Sequence, residues 1–260
     1  MRAYFNKLAR DVEQKKALPL IYPLLLALIA GSVFSLSLAP FEQWYIALLS
    51  PALLYAALHK RPARQAFAIG LSYGIGLWFV GAFWLYTSIH VYGDTAAPLA
   101  ILMIAIMAVI MGLFSALQAW SYRRFFPETP LTFAPLWVMF EWGKTWVFTG
   151  FPWLFAGYAF TGYFLDSYAP LFGVFGVSFV VIILACALVE LCRKRFIWVV
   201  PSVVLLLGAW AASQLEFVKP SASKPLSVSL IQGHIPQDLK WLTEYQGKTL
   251  SIYADLSRSE

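Results

Sequence analysis

Charge is what this sequence lacks most. Only 12% of its 260 residues are Asp, Glu, Lys or Arg, where a soluble globular domain carries about 25%. There is too little polar sequence to coat a water-exposed surface of that size, which excludes a soluble fold and intrinsic disorder together. Cysteine is scarce too, limited to Cys186 and Cys192. They lie in one apolar stretch at a spacing that puts them on different faces of a helix, so they make neither a disulfide nor a metal pair. A disulfide-rich secreted scaffold is excluded by the same count. Acidic residues are outnumbered, 13 against 19 Lys and Arg, for a net charge of +6. Nucleic acid is the usual partner of such an excess, but only when a soluble fold presents it on one face.

What the sequence has in quantity is apolar residues, at 60% with a mean hydropathy of +0.70. A helix crosses a hydrocarbon core of about 30 Å with about 20 mostly apolar residues. Such stretches run from Leu18 to Leu38, Trp44 to Leu58, Phe67 to Ile89, Pro98 to Trp120, Leu131 to Phe148, Pro170 to Leu191 and Phe196 to Leu215. The second is the shortest. Basic residues mark alternate breaks: Arg2, Lys7, Arg10, Lys15 and Lys16 before the first span, Lys60, Arg61 and Arg64, then Arg123 and Arg124, then Arg193, Lys194 and Arg195. The breaks at Pro40, Gly93 and Phe151 carry no Lys or Arg apart from Lys144 near the end of span five. Lys and Arg resist translocation, so the basic loops and the amino terminus are expected in the cytoplasm, and everything after Leu215 on the far side. The positive charge is then an orientation signal with a weak pull on anionic lipid, and needs no nucleic acid. The first apolar run is longer than a signal-peptide core of about 7–15 residues and is expected to stay as a span.

Several residues at membrane depth call for a reason. Gly70 and Gly74 in span three have the spacing that lets a neighbouring helix come close. Glu141 and Lys144 in span five stand three residues apart, on one helix face where they can pair. An ionisable group at that depth is either functional, facing a cavity, or a structural ion pair. The loop from Phe148 to Tyr158 is apolar, aromatic and broken by Gly150 and Pro152. It cannot span, and is expected to lie at the outer interface lining an opening toward lipid tails. His59 and His90, at span ends without an acidic or cysteine neighbour in sequence, give no ligand set, and no metal or cofactor is expected.

After Leu215 the composition changes. Residues 217–225 read as a linker, Leu226 to Ile231 alternates like a half-buried strand, and Leu242, Tyr245, Thr249, Ile252, Tyr253 and Leu256 recur at helical spacing. One strand and one helix bury too little surface to stand alone. The expected fold is therefore an all-α polytopic membrane bundle of about seven helices over residues 1–216, followed from 226 to 260 by the first strand and helix of an incomplete α/β domain.

Several motifs together resemble one family, the apolipoprotein N-acyltransferases of the bacterial inner membrane. They are Leu38-Ala39-Pro40-Phe41 with Trp44; Gly81 with Trp84 and Tyr86 to Ser88; Ala134-Pro135-Leu136-Trp137 with Glu141; Thr149-Gly150-Phe151-Pro152-Trp153-Leu154 with Gly157-Tyr158; and Val228 to Gly233 followed by Ile235-Pro236-Gln237 and Lys240-Trp241. They occur in family order over essentially the whole chain.

The resemblance implies transfer of an acyl chain from a phospholipid to the α-amino group of the diacylglyceryl-cysteine that begins an apolipoprotein. The transfer passes through a thioester on a cysteine of a nitrilase-like domain, with a carboxylate base and a lysine at the oxyanion. It implies a monomeric, multi-pass protein of a Gram-negative inner membrane with its carboxyl-terminal tail in the periplasm. Phe151, Pro152 and Trp153 would border a lipid portal, and Trp241 would sit on a loop that contacts substrate. Where the family has Asn or Asp, this sequence has His234, another turn residue able to donate and accept. The family's catalytic Glu, Lys and Cys are expected beyond residue 260, so the chain is expected to be catalytically incomplete alone. A non-catalytic lipid- or lipoprotein-binding scaffold and an ion-coupled transporter using Glu141 are the competing readings.

Overall fold

The computed structural model describes residues 19–216, Val218 and residues 227–259. The five basic residues that precede the first span and nearly all of the linker expected at 217–225 lie outside the described residues. The described chain forms α1 (Ile21–Phe34), α2 (Ile46–Ala57), α3 (Ala63–Gly81), α4 (Ala97–Phe125), α5 (Pro130–Gly143), α6 (Ala169–Cys192), α7 (Val199–Ser213) and, in the tail, α8 (Gln246–Arg258).

Each expected span coincides with one helix, but the lengths differ. Three helical stretches are long and apolar enough to cross a membrane, Ala97–Phe125, Phe164–Cys192 and Phe196–Ser213, while Ile21–Ser37 and Ile46–Ala57 are apolar but shorter. Helix α3 stops at Gly81, and the remainder of the expected span is a turn followed by a π-helical segment, Thr87–Tyr92. Helix α5 stops at Gly143, short of the expected Phe148. The outward surfaces are apolar: Leu99, Leu102, Met103 and Ile106 of α4 and Val200, Val204, Leu207 and Trp210 of α7 are all exposed. Helices apolar on the outside as well as the inside suit a bilayer, and the fold is a helical bundle for a membrane.

Small residues let α3 sit between α1 and α4. A methyl group on Gly74 would stand 2.5 Å from the Gly112 Cα of α4, and one on Gly70 would collide with the Ser115 carbonyl. On the opposite side, one on Gly76 would meet the Leu28 carbonyl of α1. This is the close packing that the spacing of Gly70 and Gly74 predicts. A buried hydroxyl adds the second helix: Ser50 Oγ donates to the Ala30 carbonyl at 2.7 Å and lies 2.9 Å from Tyr73 OH, tying α1, α2 and α3.

The two sets of loops separate. Glu128 accepts from the Lys60 amide at 3.0 Å, lies 2.9 Å from His59 Nδ1 and pairs with Arg123 at 2.7 Å, while Arg123 Nε donates to the Arg61 carbonyl. Glu190 binds Arg193 and Arg195 and accepts from Tyr55 OH of α2. The basic loops are thus drawn together through carboxylates. His59, which in sequence has no acidic neighbour, finds one 69 residues away. At the other loops Trp44 packs on Phe160, Tyr163 and Phe164, and Trp84 packs on Trp153.

The tail corrects one expectation. Ser227–Ile231 forms no strand, and no strand occurs among the described residues. An alternating pattern makes a strand only when a neighbour takes its amides and carbonyls, and Leu230 is 95% exposed. The expected helix does form, as α8, with the Tyr253 ring lying against Gly233. His234 adopts φ +48, a turn conformation in which Asn, Asp and His are enriched.

Candidate functional site

The site begins where α5 ends. Beyond Gly143 the chain folds back so that the Phe151 amide donates to the Lys144 carbonyl at 2.7 Å. Gly150 makes this possible: its φ is +87, and a methyl group there would run into the Thr145 carbonyl. The next residues do two things. Phe151, Pro152 and Trp153 stay near the surface, with Phe151 packed between Trp78 at 5.1 Å and Trp153 at 5.3 Å. Leu154, Phe155, Ala156, Ala159 and Phe160 turn inward and are buried. The loop therefore stays only partly at the surface, and Leu154 to Gly157 are buried.

Burying an irregular segment is possible only if its polar backbone finds partners. The Ala156 amide donates to Glu141 Oε1 at 2.8 Å, and the next amide, Gly157, donates to Ser178 Oγ of α6 at 2.8 Å. Gly157 also lies so close to α6 that a methyl group would strike the Val174 carbonyl.

Glu141 is 2% exposed and does not pair with Lys144. Its Oε1 accepts a second bond, 2.8 Å from Trp137 Nε1 one turn back, and its Oε2 is buried without a partner. Lys144 follows the last residue of α5, and its ammonium lies 5.6 Å from the Trp78 ring and 5.1 Å from the Phe155 ring. The pair expected from the spacing is replaced by a carboxylate turned toward an indole and an amide, and a cation turned toward aromatic faces.

Around the loop lies a cavity of about 1170 Å³. One wall is the turn after α1, Ser35 to Glu42; another is the end of α3, with Gly81 and Trp84; the third is Pro152, Trp153 and Leu154 with Tyr158. A methyl group on Gly81 would press on the Leu154 side chain at 2.7 Å, so a glycine at the end of α3 admits the loop here. The lining is mostly apolar, and Glu42 is its one charged residue among the described residues. A large apolar enclosure with few polar groups can hold a hydrocarbon chain and orient what is attached to it.

Of the residues singled out by sequence, Pro152 and Trp153 line the cavity, Phe151 supports them from behind, and Glu141 holds the loop. Trp241 is 79% exposed in the tail and is not among the lining residues. Ser178, Ser35 and Ser37 were not signalled, because a lone serine in an apolar run carries no pattern. Among the described residues no group of three or more His, Cys, Asp or Glu could hold a metal ion.

Comparison with known proteins adds an independent finding. Residues 30–187 match the family model described as apolipoprotein N-acyltransferase N-terminal domain. Proteins named apolipoprotein N-acyltransferase from Azotobacter vinelandii and Pseudomonas paraeruginosa are each 41% identical, over 90% of this chain and 47% and 48% of their own. One from Vibrio vulnificus is 34% identical over 89% of this chain and 47% of its own. The chain spans about half the length of the curated relatives it matches.

Proposed function

The chain belongs to the apolipoprotein N-acyltransferase family, and on that premise we propose that it supplies the membrane part of an acyl-transfer enzyme. The proposed reaction moves an acyl chain from a phospholipid to the α-amino group of an apolipoprotein's diacylglyceryl-cysteine, through a thioester. The observation that carries the reading is the cavity. Three motifs far apart in sequence, Leu38 to Phe41, Gly81 with Trp84, and Pro152 to Leu154, converge on one apolar space. In this reading Phe151, Pro152 and Trp153 form the rim by which lipid enters, and Trp241 belongs to a substrate-contacting loop of a separate domain over residues 226–260.

We also propose seven spans over residues 1–216 in the inner membrane, with the amino terminus cytoplasmic and the tail periplasmic. The gathering of basic loops around Glu128 and Glu190 supports that phase. The protein is proposed to work as a monomer. Neither cysteine suits the thioester: Cys186 is buried in the bundle and Cys192 adjoins the Arg193 to Arg195 loop, at the end away from the cavity. The nucleophile, base and oxyanion lysine are therefore assigned to the half of the relatives that this chain does not match.

The test is equilibrium binding of a spin-labelled phospholipid to the chain in mild detergent. Trp84→Ala and Trp153→Ala are expected to weaken binding about tenfold by removing aromatic wall. Leu154→Trp is expected to do the same by filling the space. Unchanged affinity in all three would refute the assignment.

A further inference from the structure

Two buried side chains on different helices capture consecutive amides of the loop that walls the cavity. Glu141 of α5 takes the Ala156 amide and Ser178 of α6 takes the Gly157 amide, both at 2.8 Å. Both side chains are buried, at 2% and 0% exposure. Between them the loop is pinned two residues after Leu154 and one residue before Tyr158, both of which line the cavity. We infer that Glu141 and Ser178 are positioning residues for that cavity, and that Glu141 acts on the loop as a hydrogen-bond acceptor. The second part follows from which oxygen is used. Its hydrogen bonds fall on Oε1, which receives the Trp137 indole and the Ala156 amide, while Oε2 has no hydrogen-bond donor. An amide side chain reproduces the acceptor at Oε1 and puts a donor at the idle position; it also removes the charge near Lys144, whose ammonium keeps the Trp78 and Phe155 ring faces.

In lipid the apolar residues of the loop gain little by going inward, because hydrocarbon surrounds the bundle as well. The two captured amides are what make the inward path favourable over exposure at the interface, where water would take them. Lose either acceptor and a buried N–H is left unmet, so the loop is driven outward and the wall made by Leu154 and Tyr158 goes with it.

This inference rests on reading the cavity as the lipid site, and its test separates the two. Amide hydrogen exchange on the detergent-solubilised chain reads the loop directly, and phospholipid binding reads the cavity. Glu141→Ala and Ser178→Ala are each expected to speed exchange over residues 154–160 by about tenfold or more, while exchange in α4 stays as in the parent. Glu141→Gln is expected to exchange like the parent and to bind phospholipid within about twofold of it, whereas the two alanine variants bind about tenfold more weakly. Should Glu141→Ala fail to fold, Ser178→Ala and Glu141→Gln carry the test alone. Glu141→Gln as impaired as Glu141→Ala, or exchange raised evenly through the bundle, or unaltered in the loop, would overturn the inference. Unchanged binding in Trp84→Ala, Trp153→Ala and Leu154→Trp would instead overturn the lipid assignment, and the exchange result does not depend on it.

Discussion

Replacing Glu190 by alanine is expected to cost about 3–5 kcal/mol, the penalty for breaking a buried ion pair from one side. The contacts give a loss of the same order. Glu190 has no exposed surface and sits near the end of α6. Its Oε1 accepts from Tyr55 OH at 2.9 Å and Arg193 at 2.7 Å, and its Oε2 from Arg195 at 3.0 Å. Arg195 is 55% exposed, so water screens that contact and it counts for less than about 1 kcal/mol. Arg193 is only 20% exposed and lies 5.5 Å from the Tyr55 ring. The bonds from Arg193 and Tyr55 are to a buried charge and each carry about 1.5–3 kcal/mol. Glu190→Gln keeps the Oε1 acceptor for Tyr55 and Arg193 but loses the charge and turns an NH2 group toward the Arg195 guanidinium, and falls between the parent and the alanine variant. Reversible unfolding in mixed micelles of mild detergent and dodecyl sulfate measures the differences. A loss below about 1 kcal/mol in Glu190→Ala would mean that Tyr55 and Arg193 find equivalent partners without it, and the reasoning would be refuted.

Two further predictions use the same assay. Gly74→Ala places a methyl group 2.5 Å from the Gly112 backbone and is expected to cost about 1–3 kcal/mol; Gly143→Ala, whose nearest neighbour is a Phe114 ring carbon at 3.9 Å, is expected to stay within about 0.5 kcal/mol. Equal losses at the two positions would count against close packing of α3 on α4. Glu128 is held below its ordinary value of 4.5: burial raises it, but the Arg123 charge, the Lys60 amide and His59 together outweigh burial. A depressed carboxylate contributes stability that is present above its unfolded value and lost as pH falls through its folded one. The parent is therefore expected to lose its margin over Glu128→Gln below about pH 4.5, and parallel curves through that range would contradict the assignment.

The places of the helices were legible because apolar runs of that length leave few alternatives, and so were Gly70 and Gly74 as contacts. The helix ends were less so. Nothing between Trp142 and Phe148 forbids helix except Gly143, and the stop at the end of α5 goes with a bond formed across the turn, from the Phe151 amide to the Lys144 carbonyl. Glu141 stood out as an ionisable group at depth, yet its spacing pointed to Lys144, three residues on. Its partners are Trp137, one turn back, and an amide 15 residues ahead. His59 has no acidic neighbour in sequence, and Glu128 reaches it through tertiary packing. The alternation from Leu226 to Ile231 is a real pattern, but a strand is a property of two segments, and Ser227–Ile231 forms no ladder among the described residues.

These misses share a cause, and it lies in what orders a fold inside a bilayer. With hydrocarbon outside as well as inside, apolar patterning says where a helix is but little about what it touches. The choice of neighbour falls to the few polar groups that lipid cannot satisfy. Ser50 joins α2 to α1 and α3, Glu141 and Ser178 bring the loop onto α5 and α6, and Glu190 brings α6 onto α2. Each of these bonds links residues far apart in the chain or stands where the backbone leaves the helix. A sequence this poor in charge therefore keeps its interior polar residues where a register must be chosen, and the cavity is walled by a loop whose path two of them determine.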